Sequence, residues 1–61
     1  MAAPLPVEDL EHIWEALALA IDQAGPRRDM LLAKLALLLA NELGDRATVE
    51  RLIAAALADL E

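Results

Sequence analysis

The chain contains no cysteine, no tyrosine, no phenylalanine and no serine. Without cysteine there is no disulfide to staple a small fold and no thiolate to hold a metal or attack a substrate. Without serine there is no Ser/His/Asp arrangement to build from, and Thr48 is the only hydroxyl side chain in the chain. Glycine occurs only at Gly25 and Gly44, which excludes a glycine-rich phosphate loop. Histidine occurs only at His12, so a zinc site within one chain would draw most of its ligands from carboxylates. Positive charge is also scarce: five Lys and Arg stand against eleven Asp and Glu, a net charge of −6. That balance disfavours a nucleic-acid partner, because phosphate binding requires a basic patch. The longest apolar run is too short for a bilayer and is interrupted by Lys34. The start, Met1-Ala2-Ala3-Pro4-Leu5-Pro6, lacks a basic n-region and an apolar h-region, so a cytoplasmic location with no membrane partner is expected.

What the chain does have is alanine and leucine. Of its 61 residues 59% are hydrophobic and only 2% aromatic. Ala and Leu are the strongest helix formers, and β-branched residues are few, which predicts an all-α chain. A chain of this length sits near the lower limit for folding alone. Disulfides and thiolate metal sites being excluded, oligomerisation is the remaining route to a sufficient apolar core.

The periodicity predicts three short helices, at about 7–24, 27–43 and 46–60, in a small bundle completed by dimerisation. Residues 1–6 carry two prolines and are expected to form a flexible arm, leaving 7–61 as a single helical domain. Pro6 alternatively opens the first turn of helix 1, with Glu8 and Asp9 behind it at the positive end of the dipole. On helix 1, Leu10, Ile13, Trp14, Leu17, Ala20, Ile21 and Ala24 share one stripe, whereas Leu19 falls on the polar face. Gly25-Pro26 is expected to end this helix, with glycine in the left-handed conformation. Asp29 then lies in the first turn of helix 2. Gly44 and Asp45 form the next corner, glycine ending helix 2 and Asp45 capping helix 3. The stripe of helix 3 is Val49, Leu52, Ile53, Ala56, Leu57 and Leu60.

Helix 2 organises the rest. Leu32, Leu35, Leu39 and Leu43 form a ridge, and Ala33, Ala36 and Ala40 form a strip of small side chains beside it. Leu31 and Leu38 flank the ridge, while Met30 and Leu37 lie beyond the alanines. The polar strip is narrow, consisting of Arg27, Lys34 and Asn41. A helix this apolar around its circumference must be covered on more than one side. Helices 1 and 3 each bring one stripe, enough for the ridge and the alanine strip. The flanks are left for another protomer. The expected interface residues are therefore Met30, Leu31, Leu37 and Leu38, joined by Asn41 and Leu19. Four leucine-sized side chains are worth on the order of 6–12 kcal/mol when fully buried, before association costs.

The stretch Leu35-Ala36-Leu37-Leu38-Leu39-Ala40-Asn41-Glu42-Leu43-Gly44-Asp45 resembles the central signature of a small bacterial family of short helical proteins known only as a domain of unknown function. The likeness runs from about Leu31 to Leu57 and extends to helix 1; the proline-containing arm and the Gly25-Pro26 turn depart from the family pattern. The family carries no assigned activity, so the resemblance implies no catalytic or cofactor-binding residue. Similar short proteins can be encoded beside flavin-dependent oxygenases, and the resemblance motivates a partner hypothesis on that ground alone.

Three positions invite a chemical role. His12 has Glu8, Asp9 and Glu15 within helical reach, a fragment of a carboxylate–histidine metal site or simply a solvated charged face. Asn41, a polar residue within the apolar helix, either sets register at an interface, or lies on the wet strip beside Lys34, or bonds to backbone near the helix end. Arg27 and Arg28 are expected to pair with acidic groups such as Asp29 or the carboxylates of helix 1. Trp14 is expected to pack on the core stripe, with an interface anchor as the other reading. No catalytic, cofactor or metal residue is assigned, and the chain is read as non-catalytic. The expected function is that of a structural interaction protein forming a homodimer. One alternative is an accessory subunit docked on a larger protein such as a flavin-dependent oxygenase. Another is a metal-dependent enzyme built around His12 at a symmetric interface.

Overall fold

A computed structural model describes residues 4–60 of the chain. Among them there are three α-helices and no strand: α1 is Val7–Ala24, α2 is Arg28–Leu43 and α3 is Arg46–Ala58. A three-residue 3-10 turn, Gly25–Arg27, links α1 to α2. The all-α expectation holds. Two compact units divide the chain between Leu31 and Leu32.

In the first unit, Pro4, Leu5 and Pro6 have no regular structure, and Met1, Ala2 and Ala3 of the expected arm lie outside the described residues. Pro6 is the residue before α1 rather than its first helical one. Its φ of −59° is set by the ring, its ψ of 153° is extended, and its carbonyl accepts the first helical bond from the Leu10 N–H at 3.1 Å. Pro6 supplies no side-chain cap, and Glu8 and Asp9 in the first turn place negative charge at the positive end of the dipole.

Gly25 closes α1 by donating its N–H to the Ile21 carbonyl, with φ 57° and ψ −122°. The positive φ is as expected, but the ψ is not that of the left-handed helical conformation. Proline is the reason. Its Cδ excludes helical ψ values at the preceding residue and forces that residue to be extended. At positive φ the extended choice is the mirror image of ordinary extended backbone, which glycine alone adopts readily. Pro26 then starts the 3-10 turn, closed by the Arg28 N–H donating to the Gly25 carbonyl, so α2 begins at Arg28 and not at residue 27.

In the second unit, Gly44 takes φ 71° and donates its N–H to the Ala40 carbonyl at 2.9 Å, ending α2. Asp45 is extended, at φ −141° and ψ 109°, and caps α3. The far end of α3 has neither glycine nor proline. It unwinds after Ala58 through bonds from the Asp59 N–H to the Ala55 carbonyl and from the Leu60 N–H to the Leu57 carbonyl. The expected extension of helix 3 to residue 60 is thus one short turn too long, and Glu61 lies outside the described residues.

No described residue is buried. Leu17, Ala20, Ile21 and Ala24 of α1, Leu31, Leu35 and Ala40 of α2, and Thr48 and Val49 of α3 are half-buried; every other helical apolar side chain is exposed. The ridge expected to be covered within the chain is therefore largely open, at Leu32, Leu39 and Leu43. Trp14, expected to pack on the core stripe, is 72% exposed.

The Gly25 turn generates a direct test. Nothing lies within 4 Å of a Cβ built on Gly25, so Gly25→Ala meets no steric neighbour and its cost is purely that of the backbone. A loss of about 1–3 kcal/mol is expected, seen as a lower midpoint in thermal unfolding followed by far-ultraviolet circular dichroism. An unchanged midpoint would show that the turn is not formed in solution.

Candidate interaction surface

The side chains singled out by sequence fall on open helix faces. In the first unit, Leu19 stands clear of α1 at 66% exposure, opposite the stripe. Leu10, Ile13 and Trp14 are exposed as well, so the first half of the α1 stripe is open while Leu17 and Ile21 in its second half are partly shielded. A shallow depression borders Val7, Leu10, Trp14 and their neighbours. Consecutive residues of one helix point in all directions around its axis, so this is the flank of a helix and not an enclosed ligand pocket.

His12 is exposed, and its Nδ1 lies 3.9 Å from Oε1 of Glu15, too far for a hydrogen bond. Among the described residues no group of three or more His, Asp or Glu side chains is close enough to hold a metal ion. Glu8 and Asp9, placed near His12 by spacing, are not brought against it. Arg27 and Arg28 form no ion pair among the described residues, contrary to the pairing expected for them.

On α2, Met30 is exposed, Leu31 half-buried, and Leu37 and Leu38 are exposed at 71% and 66%. Asn41 is exposed and lines a groove with Leu37, Ala40, Gly44, Asp45, Arg46, Val49 and Glu50, within the second unit. The groove lies at the corner where Gly44, with positive φ, ends α2 and Asp45 opens α3. Among the described residues the Asn41 side chain makes no hydrogen bond, so the alternative of a bond to nearby backbone is not realised. Leu37, Ala40 and Val49 give the groove its apolar part, and Asn41, Asp45, Arg46 and Glu50 make the rest of it polar.

The polar side of that corner is built on Asp45. Its Oδ2 accepts the Thr48 N–H at 3.1 Å and also the Thr48 hydroxyl. The Asp-x-x-Thr spacing makes both bonds local, and sequence reasoning recognised the cap but not the second donor. These two bonds, the hydroxyl first, hold the Asp45 carboxyl below the usual carboxylate range. Arg46 donates from Nε to Glu50 Oε2 at 2.9 Å, one turn further on. Both groups of that pair are exposed, and it adds only ~0.3 kcal/mol to α3.

The chain matches no family model, no curated protein and no solved structure. No described helix is long and apolar enough to cross a membrane.

The sign of the acid response follows from the cap. Because the folded state lowers the Asp45 pKa, the cap's contribution is complete above the ordinary carboxylate value and is lost as pH falls through the lowered one. Helicity of α3 should drop on titration below about pH 4. Asp45→Asn, which caps without titrating, should remove this step, and Asp45→Ala should lower helicity at neutral pH. The Thr48 amide chemical shift reads the bond directly; a shift that ignores acid and both substitutions would remove the cap from solution.

Proposed function

We propose that this chain is a cytoplasmic, non-catalytic helical interaction protein that self-associates as a homodimer through α2. The supporting observation is exposure. In a 61-residue chain whose described residues include no buried side chain, the main favourable term in folding is still available. The apolar side chains of α2 lie on nearly its whole circumference, so a contact on one side leaves another side open. A second copy supplies a surface of matching size and chemistry, and the small helical bundle is completed by it. Met30, Leu31, Leu37 and Leu38 are the apolar contacts of this reading. Asn41 supplies a polar contact that disfavours other registers, and Leu19 of α1 is the remaining apolar contact of this reading.

The resemblance of Leu35–Asp45 to a small helical family brings no activity with it, since that family has none assigned. A larger protein partner, such as a flavin-dependent oxygenase, would use the same face of α2. That reading is separated from self-association by the mass of the pure protein.

Light scattering on the purified chain should give twice its 6.6 kDa mass. Leu38→Glu should return the mass to that of one chain, because a carboxylate buried without a partner costs several kcal/mol. A wild-type chain that stays monomeric at about 100 μM, a concentration where a contact worth only ~6 kcal/mol would begin to populate dimers, overturns self-association. A dimeric Leu38→Glu variant would move the interface to another face.

A further inference from the structure

Arg28 and Glu42 are both placed against their own helix. Arg28 is the first residue of α2, where the dipole is positive, and Glu42 lies in its last turn, where the dipole is negative and no basic residue stands. Each is unfavourable alone, and neither has an ion-pair partner among the described residues. Their spacing is informative. Arg28, Leu35 and Glu42 are seven residues apart in one continuous helix, so at about 100° per residue both charges fall within ~20° of Leu35. Between them, Leu31 and Leu32 precede Leu35 at the same intervals at which Leu38 and Leu39 follow it. The result is a leucine seam with a positive end and a negative end, symmetric about Leu35.

We infer that two copies of α2 pair antiparallel along this seam, across a two-fold axis at Leu35. The inference rests on self-association through α2 as read above and keeps Leu31 and Leu38 as contacts; Met30, Leu37 and Asn41 lie roughly 120–160° around the helix from Leu35 and stay outside this seam. Antiparallel pairing about Leu35 sets Arg28 against Glu42 of the second copy at both ends of a seam roughly 21 Å long. It sets Leu31 opposite Leu39 and Leu32 opposite Leu38. Each charge then meets an opposite charge and also the favourable end of the second helix's dipole. A parallel pair would put Arg28 against Arg28 and Glu42 against Glu42, which is repulsive at both ends. Heptad spacing of this kind is what a helix pair crossing at about 20° requires. Leu32, Leu38 and Leu39 are exposed and Leu31 and Leu35 half-buried in the single chain, so every leucine of the seam still has apolar surface to cover.

Charge reversal tests the geometry. Arg28→Glu alone and Glu42→Arg alone should each weaken the dimer about tenfold, since each converts two symmetric attractions into repulsions. The doubly exchanged R28E/E42R chain should dimerise as the wild type does. Recovery of the dimer in the exchanged chain separates the effect from loss of folding, because a reversal that merely unfolded α2 would not be rescued by a second one. A second readout uses the absence of native cysteine. Mixed Arg28→Cys and Glu42→Cys chains should form a disulfide between them, while Arg28→Cys should not link to itself. If the wild type is dimeric but the single reversals change nothing, or Arg28→Cys links to itself, the antiparallel seam is wrong and self-association stands. If the wild type is a monomer, self-association falls as well.

Discussion

The constraint on which the molecule depends is the apolar surplus of α2. A leucine buried fully is worth about 1.5–3 kcal/mol, and a small domain has a net stability of only about 5–15 kcal/mol. Leu32, Leu37, Leu38, Leu39 and Leu43 are all exposed on this helix, so the side chains that would normally decide the stability of a short chain are still in contact with water. Helices of this length are marginal in water when isolated, and in proteins their stability comes mainly from packing of an apolar face. Contact with a second surface is therefore tied to the helicity of the chain as well as to any role it has. In the proposed dimer, folding and association become one linked equilibrium.

The turns impose the second constraint. Gly25 and Gly44 are the only glycines, and both have positive φ. They end their helices in different ways. Gly44 is followed by Asp45, which is free to extend and cap α3, so the corner is compact and carries the groove around Asn41. Gly25 is followed by Pro26, which forbids a helical ψ and inserts a 3-10 turn before α2. Local chemistry of one neighbouring residue thus decides whether a glycine stop becomes a tight corner or a short spacer.

Electrostatics adds direction to a surface that hydrophobicity leaves undirected. A leucine face attracts any apolar partner, in any register. The unpaired charges at Arg28 and Glu42, each opposed to its own dipole, discriminate between antiparallel and parallel approach in the proposed dimer. They cost α2 some local stability, in the way a buried polar residue costs a coiled coil stability while fixing its register.

Much of the secondary structure was legible in the residues themselves. The α1 span of Val7–Ala24, the end of α2 at Leu43, and the Asp45 cap follow from proline, glycine and aspartate chemistry acting over four residues or fewer. The start of α2 and the end of α3 were each displaced by one or two residues, because helix ends are decided by individual backbone bonds that periodicity does not register. Exposure was not legible in that way. Periodicity says which side chains share a face, as for Trp14 with Leu10 and Ile13, or Leu39 with Leu32 and Leu35. Whether that face meets another part of the chain depends on where the chain goes after each turn, and the structure leaves Trp14 and Leu39 open. The sequence by itself determined the helices and their faces, because those depend on local dihedral angles and hydrogen bonds. Only the tertiary structure decided which faces stay uncovered, because cover depends on contacts between residues distant along the chain.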